Sequence, residues 1–459
     1  MSFLHGVEIV ELNGGARPIE TSSSSVIGLV GTAPIGPVNI PTVIAGSRKE
    51  AIEKFGGLGG DCSIPSALDS IFDQTGAVVV VINVLDPSMH SEEKPEADYK
   101  LVKGELILND NYAYDVKITA ADHPAEYVLG EDYHFDSASG LVTAIEGSPI
   151  NTPETLKIAY TVVDPTKVSQ DEIEGAVNQE GEYTGIQALM GAESVVHIAP
   201  RLLLAPGYTQ IKSVTDSLIQ VADKLRGIVI ADGPGGTDSE AIDYRKSFDS
   251  ARLYLVDPWV TVYDSKTKKE SKKPASPYVA GVITKSDHER GFWWSPSNRP
   301  IRGISGTSRP IDFALGDKTA RANLLNEQDV ATIIRQDGYR LWGNHSCSSD
   351  PKWQFISVRR TADLINDALQ RAHLWAIDRN INKTYIDDVT GSVNNYLRSL
   401  KAKGAIIDGN CWADPEMNTP AEIAAGRVYF DFDFTPPFPA EHITFRSSLV
   451  NDYLEEIFA

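Results

Sequence analysis

Residues Gly338–Ile365 read GYRLWGNHSCSSDPKWQFISVRRTADLI, and the reading of this stretch decides the fold. It brings together two tryptophans (Trp342, Trp353), two glycines (Gly338, Gly343), an arginine pair (Arg359, Arg360) and a helix start. Trp353–Val358 predicts a strand. Thr361 is placed to cap a helix, because its hydroxyl can accept a bond from a free amide of the first turn. Behind it Leu364, Ile365, Ala368, Leu369, Ala372, Trp375 and Ala376 recur at helical spacing and make one wide apolar face. The stretch predicts a loop, a strand and a long amphipathic helix at the centre of a packed domain. On composition the tryptophans belong to the core and the arginine pair to the surface.

Outward on the C-terminal side, Val389–Lys403 predicts a second helix, buried along Val393, Tyr396, Leu397 and Leu400. Arg398, Lys401 and Lys403 gather at its end before Gly404, where cations complement the carbonyl end of the helix dipole. A strand follows in which Val428, Phe430, Phe432 and Phe434 face one way and Tyr429, Asp431 and Asp433 the other. Pro436, Pro437 and Pro439 break it, Ile443–Leu449 resumes as a strand, and Asn451–Phe458 is a short tail. On the N-terminal side, Leu324–Tyr339 predicts a short helix and a strand. GFWWSPSNRPIRGISG at Gly291–Gly306 offers Trp293 and Trp294 as rings that could stack on sugars. Ser305 is not in a nucleophile elbow, since Thr307 stands where the last glycine of GxSxG is needed. The lysine-rich DSKTKKESKKP at 264–274 predicts an exposed, solvated loop.

Further out the pattern is α/β. Val26–Gly31, Thr42–Ala45 and Ala77–Leu85 predict strands, the last apolar and β-branched throughout, as in a strand covered on both faces. Ser47 caps a helix through Phe55 that Gly56-Gly57 closes, and Ile64–Gln74 is another helix. GLGG at Gly57–Gly60 follows a helix and lacks GK[ST], so it is no phosphate loop. The pattern resumes near Tyr183. Strands Arg201–Ala205, Gly227–Ala231 and Arg252–Val256 alternate with a helix on Ile211, Val214, Leu218, Val221, Ala222 and Leu225 and another at Ser239–Phe248. That order predicts parallel pairing with right-handed crossovers. Between the two α/β parts, Ser91–Asp98 predicts a charged linker. Short strands follow at Gly104–Leu108, Tyr114–Thr119, Glu126–Leu129, Leu141–Ile145 and Leu156–Val163, a small all-β insertion without an exposed aromatic platform.

The chain has 459 residues, enough for about three domains. With 63 acidic against 42 basic residues its net charge is −21, which argues against a general nucleic-acid binder. Cys62, Cys347 and Cys411 are odd in number and far apart, so neither a disulfide framework nor a zinc spacing follows, and a reducing compartment is expected. No signal peptide is visible, and no apolar run could span a bilayer as a helix. Assembly in the cytoplasm is expected.

GYRLWGN, the Ser-Asp-Pro loop and RRTADLI resemble the signature region of contractile tail sheath proteins, found in myophages and in R-type pyocins. FLHGVEIVELNGGARPIETSSSSVIGLVGTAPIGP near the start, GFWWSPSNRPIRGISG, and GRVYFDFDFTPPFPAEHITF near the end are similar to three further family segments. The resemblance covers most of the chain except roughly 90–185. It implies an α/β multidomain fold with a parallel or mixed sheet flanked by helices. A discontinuous α/β domain would cover 21–90 and 186–310, an all-β outer domain 91–185, and a sheath domain facing an inner tube 311–440. Residues 1–20 and 441–459 would be arms. Val7 and Ile9 alternate with Glu8, which suits a strand; by resemblance Val7, Glu8, Ile9 and Val10 are donated to a neighbour's sheet, as are Ile443, Thr444, Phe445 and Arg446. Val428, Phe430 and Phe432 would lie in the receiving sheet. Arg398, Lys401 and Lys403 would grip the tube, with Arg371 and Arg379 as the alternative. The implied partners are further copies of the chain, the tube protein, and baseplate and tail terminator proteins. No cofactor, catalytic residue or metal is implied, nor any direct contact with nucleic acid or membrane. The expected location is the tail of a virion or of a phage-tail-like particle.

Two other readings compete. In an α/β hydrolase, Asp232 and Asp257 at the carboxyl ends of strands would act as acid/base groups or metal ligands, although aspartates beside Gly and Pro usually just form turns. In a free-standing binding module, the β insertion alone would hold a ligand.

Overall fold

The computed structural model describes residues 23–451 apart from 59, 121–125, 154 and 265–267, together with 19, 453 and 457. Its first segment folds as the hydrophobic runs dictate. β1 (Ile27–Gly31), β2 (Thr42–Ala45) and β3 (Val78–Asn83) pair with β3 in the middle, parallel to β1 and antiparallel to β2. α1 (Arg48–Phe55) starts where the Ser47 side chain accepts from the Glu50 amide, and it ends at Gly56, whose φ of 96° favours glycine. α2 (Ser63–Gln74) follows.

The insertion consists of two three-stranded sheets around one core that includes Ile118, Tyr133, Val142 and Ile158. Its strands are β4 (Ser91–Tyr99), β5 (Glu105–Ile107), β6 (Tyr114–Ala120), β7 (Tyr133–Asp136), β8 (Leu141–Ala144) and β9 (Leu156–Val163). β4 is the stretch expected to be a linker. Its charged residues suit an exposed edge strand, and β9, which alternates strictly between buried and half-buried residues, supplies its pairing. Glu126–Leu129 is not a strand. β7 takes its place, and its period-2 run YHFD carried the signal.

The chain then returns to the first sheet through the short helices α3 (Gln170–Glu174) and α4 (Ala192–Val196). β10 (Leu202–Leu204), α5 (Lys212–Leu225), β11 (Ile228–Asp232), α6 (Asp238–Lys246) and β12 (Leu253–Val256) follow. The sheet order is β12-β11-β10-β1-β3-β2, parallel except for β2. One face packs on α1, α2 and α7 (Ser276–Arg290), the other on α5 and the turn at Gly185–Gly191. Each face therefore has its own apolar core, as a doubly wound sheet requires. Ahead of α7, β13 (Val260–Asp264) and β14 (Lys269–Lys273) form an antiparallel hairpin. The lysine-rich segment is thus largely strand rather than loop: its charges stay in solvent while the backbone pairs.

The last third begins with the two-residue strands β15 (Pro300–Ile301) and β16 (Gly306–Thr307) and the helix α8 (Arg321–Glu327). β17 (Thr332–Arg335) and β18 (Tyr339–Trp342) then form a sheet with β15. α9 (Ile356–Ala372) and α10 (Lys383–Lys403) pack on a hairpin of β19 (Asp408–Ala413) and β20 (Phe430–Thr435), which flank α11 (Pro420–Ala424). The signature stretch departs from its expected form. α9 starts at Ile356, so Trp353–Val358 is not a strand, and Thr361 lies inside the helix, donating its hydroxyl to the Ser357 carbonyl at 2.8 Å. Tertiary packing overrides the β preference of the β-branched residues there.

Candidate assembly surfaces

The arginine pair is not a surface feature. Arg360, Asp363 and Asp367 share the face of α9 turned to the parallel-sheet unit, and each meets an opposite charge there. Arg360 pairs with Asp287 of α7, with side chains 4% and 2% exposed. Asp363 takes Arg252, just ahead of β12, at 2.6 Å, and Asp367 takes Arg201, just ahead of β10, at 2.7 Å. Arg359 bonds Asp363 along the helix and lies over the Trp353 ring, 4.2 Å from its centre. This seam of ion pairs fixes α9 against the ends of the sheet strands. The Arg360–Asp287 pair also holds residue 24, because the Ser24 hydroxyl donates to Asp287 at 2.8 Å and Arg360 donates to the Ser24 carbonyl at 3.2 Å.

The hairpin β19–β20 is a sheet of two strands. Phe430, Phe432 and Phe434 are half-buried toward α10, while Asp431, Asp433 and Thr435 are exposed, as the alternation predicts. Val428 lies two residues ahead of β20 and outside the sheet. The Asn394 side chain, on α10, donates to the Cys411 carbonyl and accepts from the Cys411 amide, both at 2.8 Å. The backbone groups of Cys411 therefore point away from β20. Cys411 sits opposite Phe432, so this is a non-hydrogen-bonded pair, and the N–H and C=O of Phe432 point off the far side of β20. Asn418 fixes the approach to the strand by bonding both backbone groups of Tyr429 at 2.8 Å. β19's outer side is tied to α10, whereas β20's is, among the described residues, an open edge. Neither asparagine was singled out from the sequence.

After the prolines, Ile443, Thr444, Phe445 and Arg446 are exposed and belong to no strand of this chain, so Ile443–Leu449 is not a strand here. Phe445 is 91% and Leu449 98% exposed. Strand character alone does not make a strand: an edge must be paired with, and among the described residues this segment is paired with none. Val7, Glu8, Ile9 and Val10 lie outside the described residues. Arg398, Lys401 and Lys403 are exposed on the last turns of α10 before Gly404, and Lys401 pairs with Asp408 at 2.7 Å. Of the alternative pair, Arg371 bonds Glu193 and Asp367, and Arg379 lies over Trp375.

The carboxylates suggested for catalysis serve the scaffold. Buried Asp232 accepts from the Ser276 amide at 2.7 Å and from its hydroxyl, so it caps α7 from the end of β11. Burial pushes its pKa up to about 6 against those bonds. Asp257 is also buried, is raised by that burial, and is paired with Arg309. The one hydroxyl bound to Asp232, that of Ser276, is part of the cap on α7. Among the described residues no group of three or more His, Cys, Asp or Glu could hold a metal, and no helix is long and apolar enough to cross a membrane. Aromatic residues do gather in one place the sequence did not reveal. Tyr112, Tyr114, Tyr133 and Phe135 line a cleft of about 740 Å³ between the insertion and the loop at Pro34–Gly36. Two of their hydroxyls are engaged as clamps, Tyr112 with the Gly57 amide and Tyr114 with the Pro87 carbonyl.

Three family models match the chain. They are the tail sheath protein Gp18 domain III N-terminal region over residues 24–84, the phage tail sheath protein central domain over 181–347, and the phage tail sheath C-terminal domain over 348–449. The unmatched interval holds the β insertion. The chain is 38% identical to a prophage major tail sheath protein of Pseudomonas aeruginosa (strain UCBPP-PA14), over 100% of this chain and 99% of that one. It is 34% identical to the tail sheath protein of Burkholderia phage BcepMu, over 99% and 98%. It is 31% identical to the tail sheath protein of Escherichia phage P2, over 99% and 97%. The fold is similar to the sheath of an extracellular contractile injection system, PVC, in its contracted state. The TM-score is 0.61 at 16% identity, over 98% of this chain and 99% of that one.

Proposed function

Because the chain belongs to the contractile tail sheath family and is a structural sheath subunit, we propose that its copies stack as hexameric rings around an inner tube. On triggering, the array shortens and drives the tube through a target cell envelope. The observation that carries this reading is that, among the described residues, one chain holds both an open sheet edge at β20 and an unpartnered apolar arm at Ile443–Val450. An arm that adds a strand to a neighbour's edge makes a heterologous contact, which builds a helix when it does not close on itself. Val7, Glu8, Ile9 and Val10 donate in the same way from the N-terminal arm, 1–20. Phe430 and Phe432, with Val428 at their approach, receive. The α/β domain (21–90 and 186–310) and the sheath domain (311–440) move together as a rigid body on contraction, and the ion-pair seam on α9 supports this. The insertion, 91–185, decorates the outside. The particle is assembled in the host cytoplasm with its tube, baseplate and terminator.

Negative-stain microscopy tests this reading. The full chain, alone or with its tube protein, is expected to form hollow striated cylinders, and a version lacking residues 1–20 to form none. Cylinders from both versions would keep the sheath and remove the N-terminal arm's role. Dispersed particles throughout would overturn the assembly itself.

Arg398, Lys401 and Lys403 present a cationic helix end on an acidic chain, and we assign the tube contact to them. Reversing all three charges is expected to abolish tube-bound sheath while leaving the circular dichroism of the free chain unchanged. Undiminished co-assembly with the tube would remove the assignment.

A further inference from the structure

Phe438 and Glu441 mark the place where the C-terminal arm leaves the body. Phe438 stands edge-on to Phe355, with ring centres 6.0 Å apart, and Phe355 stands edge-on to His345 at 5.0 Å. His345 Nε2 lies 3.1 Å from a carboxylate oxygen of Glu441, and Nδ1 lies 2.9 Å from one of Asp329. Both ring nitrogens thus face anionic acceptors. Only the doubly protonated ring can donate to both, since a neutral imidazole would turn a lone pair toward one carboxylate. Arg245 bonds Asp329 from the other side at 2.5 Å, and the Gln354 amide nitrogen lies 3.2 Å from the same carboxylate. His345 is also bridged to Phe355, the residue that caps α9, five positions ahead of Arg360 and its hold on Ser24.

We propose that His345 is the positioning residue for the C-terminal arm: its ring ties Glu441 at the arm's root to Asp329 of the body and so sets where the strand-donating segment departs. The tie is a property of the single chain; only its consequence for assembly rests on the sheath reading. Releasing it lets Ile443–Leu449 search a wider volume before pairing, so polymerisation becomes slower. Burial alone would lower the pKa of His345, but the bonds to Asp329 and Glu441 outweigh it and carry the value up to about 9. The folded value lies above the ordinary histidine value of 6.5. The tie is therefore complete below that ordinary value and is lost as the pH rises through about 9. Glu441 is held below its usual range chiefly by the bond to His345, and Asp329 by its bonds to His345, Gln354 and Arg245, which outweigh its burial.

A nitroxide label on Phe445→Cys reads the arm directly. The native thiols are buried, and burial raises Cys62 and Cys411 to about 11 and Cys347 to about 12, so the added cysteine reacts first. On the dispersed full chain at pH 7, His345→Gln and Glu441→Gln are each expected to raise the ratio of mobile to held label about tenfold, the weight of one charge-assisted hydrogen bond. The double variant should add nothing further. The unsubstituted pair should show the same release with a midpoint near pH 9, which both variants lack. Glu441 is 42% exposed, so its variant keeps the fold and keeps the test alive should His345→Gln fail to fold. Label mobility that is unchanged in Glu441→Gln, or that stays flat to pH 10 in the unsubstituted pair, overturns the proposal. If the label is released as expected but cylinders grow at the normal rate, the tie stands and its role in assembly falls.

Discussion

Asp287→Ala is expected to destabilise the folded chain by about 5 kcal/mol, the upper end of what breaking a buried ion pair costs. The magnitude follows from what the substitution leaves behind. Arg360 is 4% exposed and among the described residues pairs with no other carboxylate, so its charge would be left in the interior with the Ser24 carbonyl as its remaining acceptor there. Asp363→Ala is expected to cost less, about 3 kcal/mol, for two reasons. Arg252 keeps Asp223 at 2.7 Å, and Arg359 keeps its place over the Trp353 ring. Replacing both partners of the first pair, Arg360→Met with Asp287→Leu, should recover most of the loss, because no unpaired charge remains. Asp408→Ala serves as the control: its partner Lys401 is in solvent, and no shift in the urea midpoint is expected. Midpoints read by tryptophan fluorescence check the ranking. An Asp287→Ala midpoint no lower than that of Asp408→Ala would show that the seam holds nothing. Loss of the seam should also cost the rigid-body coupling of α9 to the sheet.

Much of this architecture was legible in the sequence because local chemistry and tertiary packing agree there. Ser47 and Gly56 mark the ends of α1 to the residue, and the β-branched run near Val78–Asn83 could only be a strand buried on both faces. The same holds for the alternation of Phe430, Phe432 and Phe434. Illegible features are those whose partner lies far along the chain. Arg360 meets Asp287 across 73 positions, and nothing in RRTADLI announces that its charges face inward. β4 is polar enough to read as a linker, and its identity as a strand is supplied by β9, more than fifty residues on. The open side of β20 is set by Asn394 through Cys411, a contact outside the strand altogether. Ile443–Leu449 shows the reverse case. Its residues have strand character, yet among the described residues they pair with no strand of their own chain.

Phe432→Pro is expected to abolish cylinder formation while Phe432→Ala permits it, and the contrast isolates the edge of β20. Both variants lose the same half-buried ring from the cluster with α10, a shared penalty of roughly 2 kcal/mol, about half that of a fully buried phenylalanine. They differ in the backbone. The Phe432 amide points away from β19, so proline there leaves the β19–β20 ladder intact and removes a donor from the open edge alone. A strand arriving from another subunit would then face a missing hydrogen bond and a proline ring at the middle of its register. In a repeating array the same defect recurs at every subunit, so a contact weakened by even about 1 kcal/mol is weakened throughout the lattice. Circular dichroism and the urea midpoint should place the two variants close together, and electron microscopy should separate them. If both variants fail to assemble, the phenylalanine ring rather than the edge is what the neighbour needs. If both assemble, incoming strands pair elsewhere, and β19, despite its tie to Asn394, becomes the edge to test.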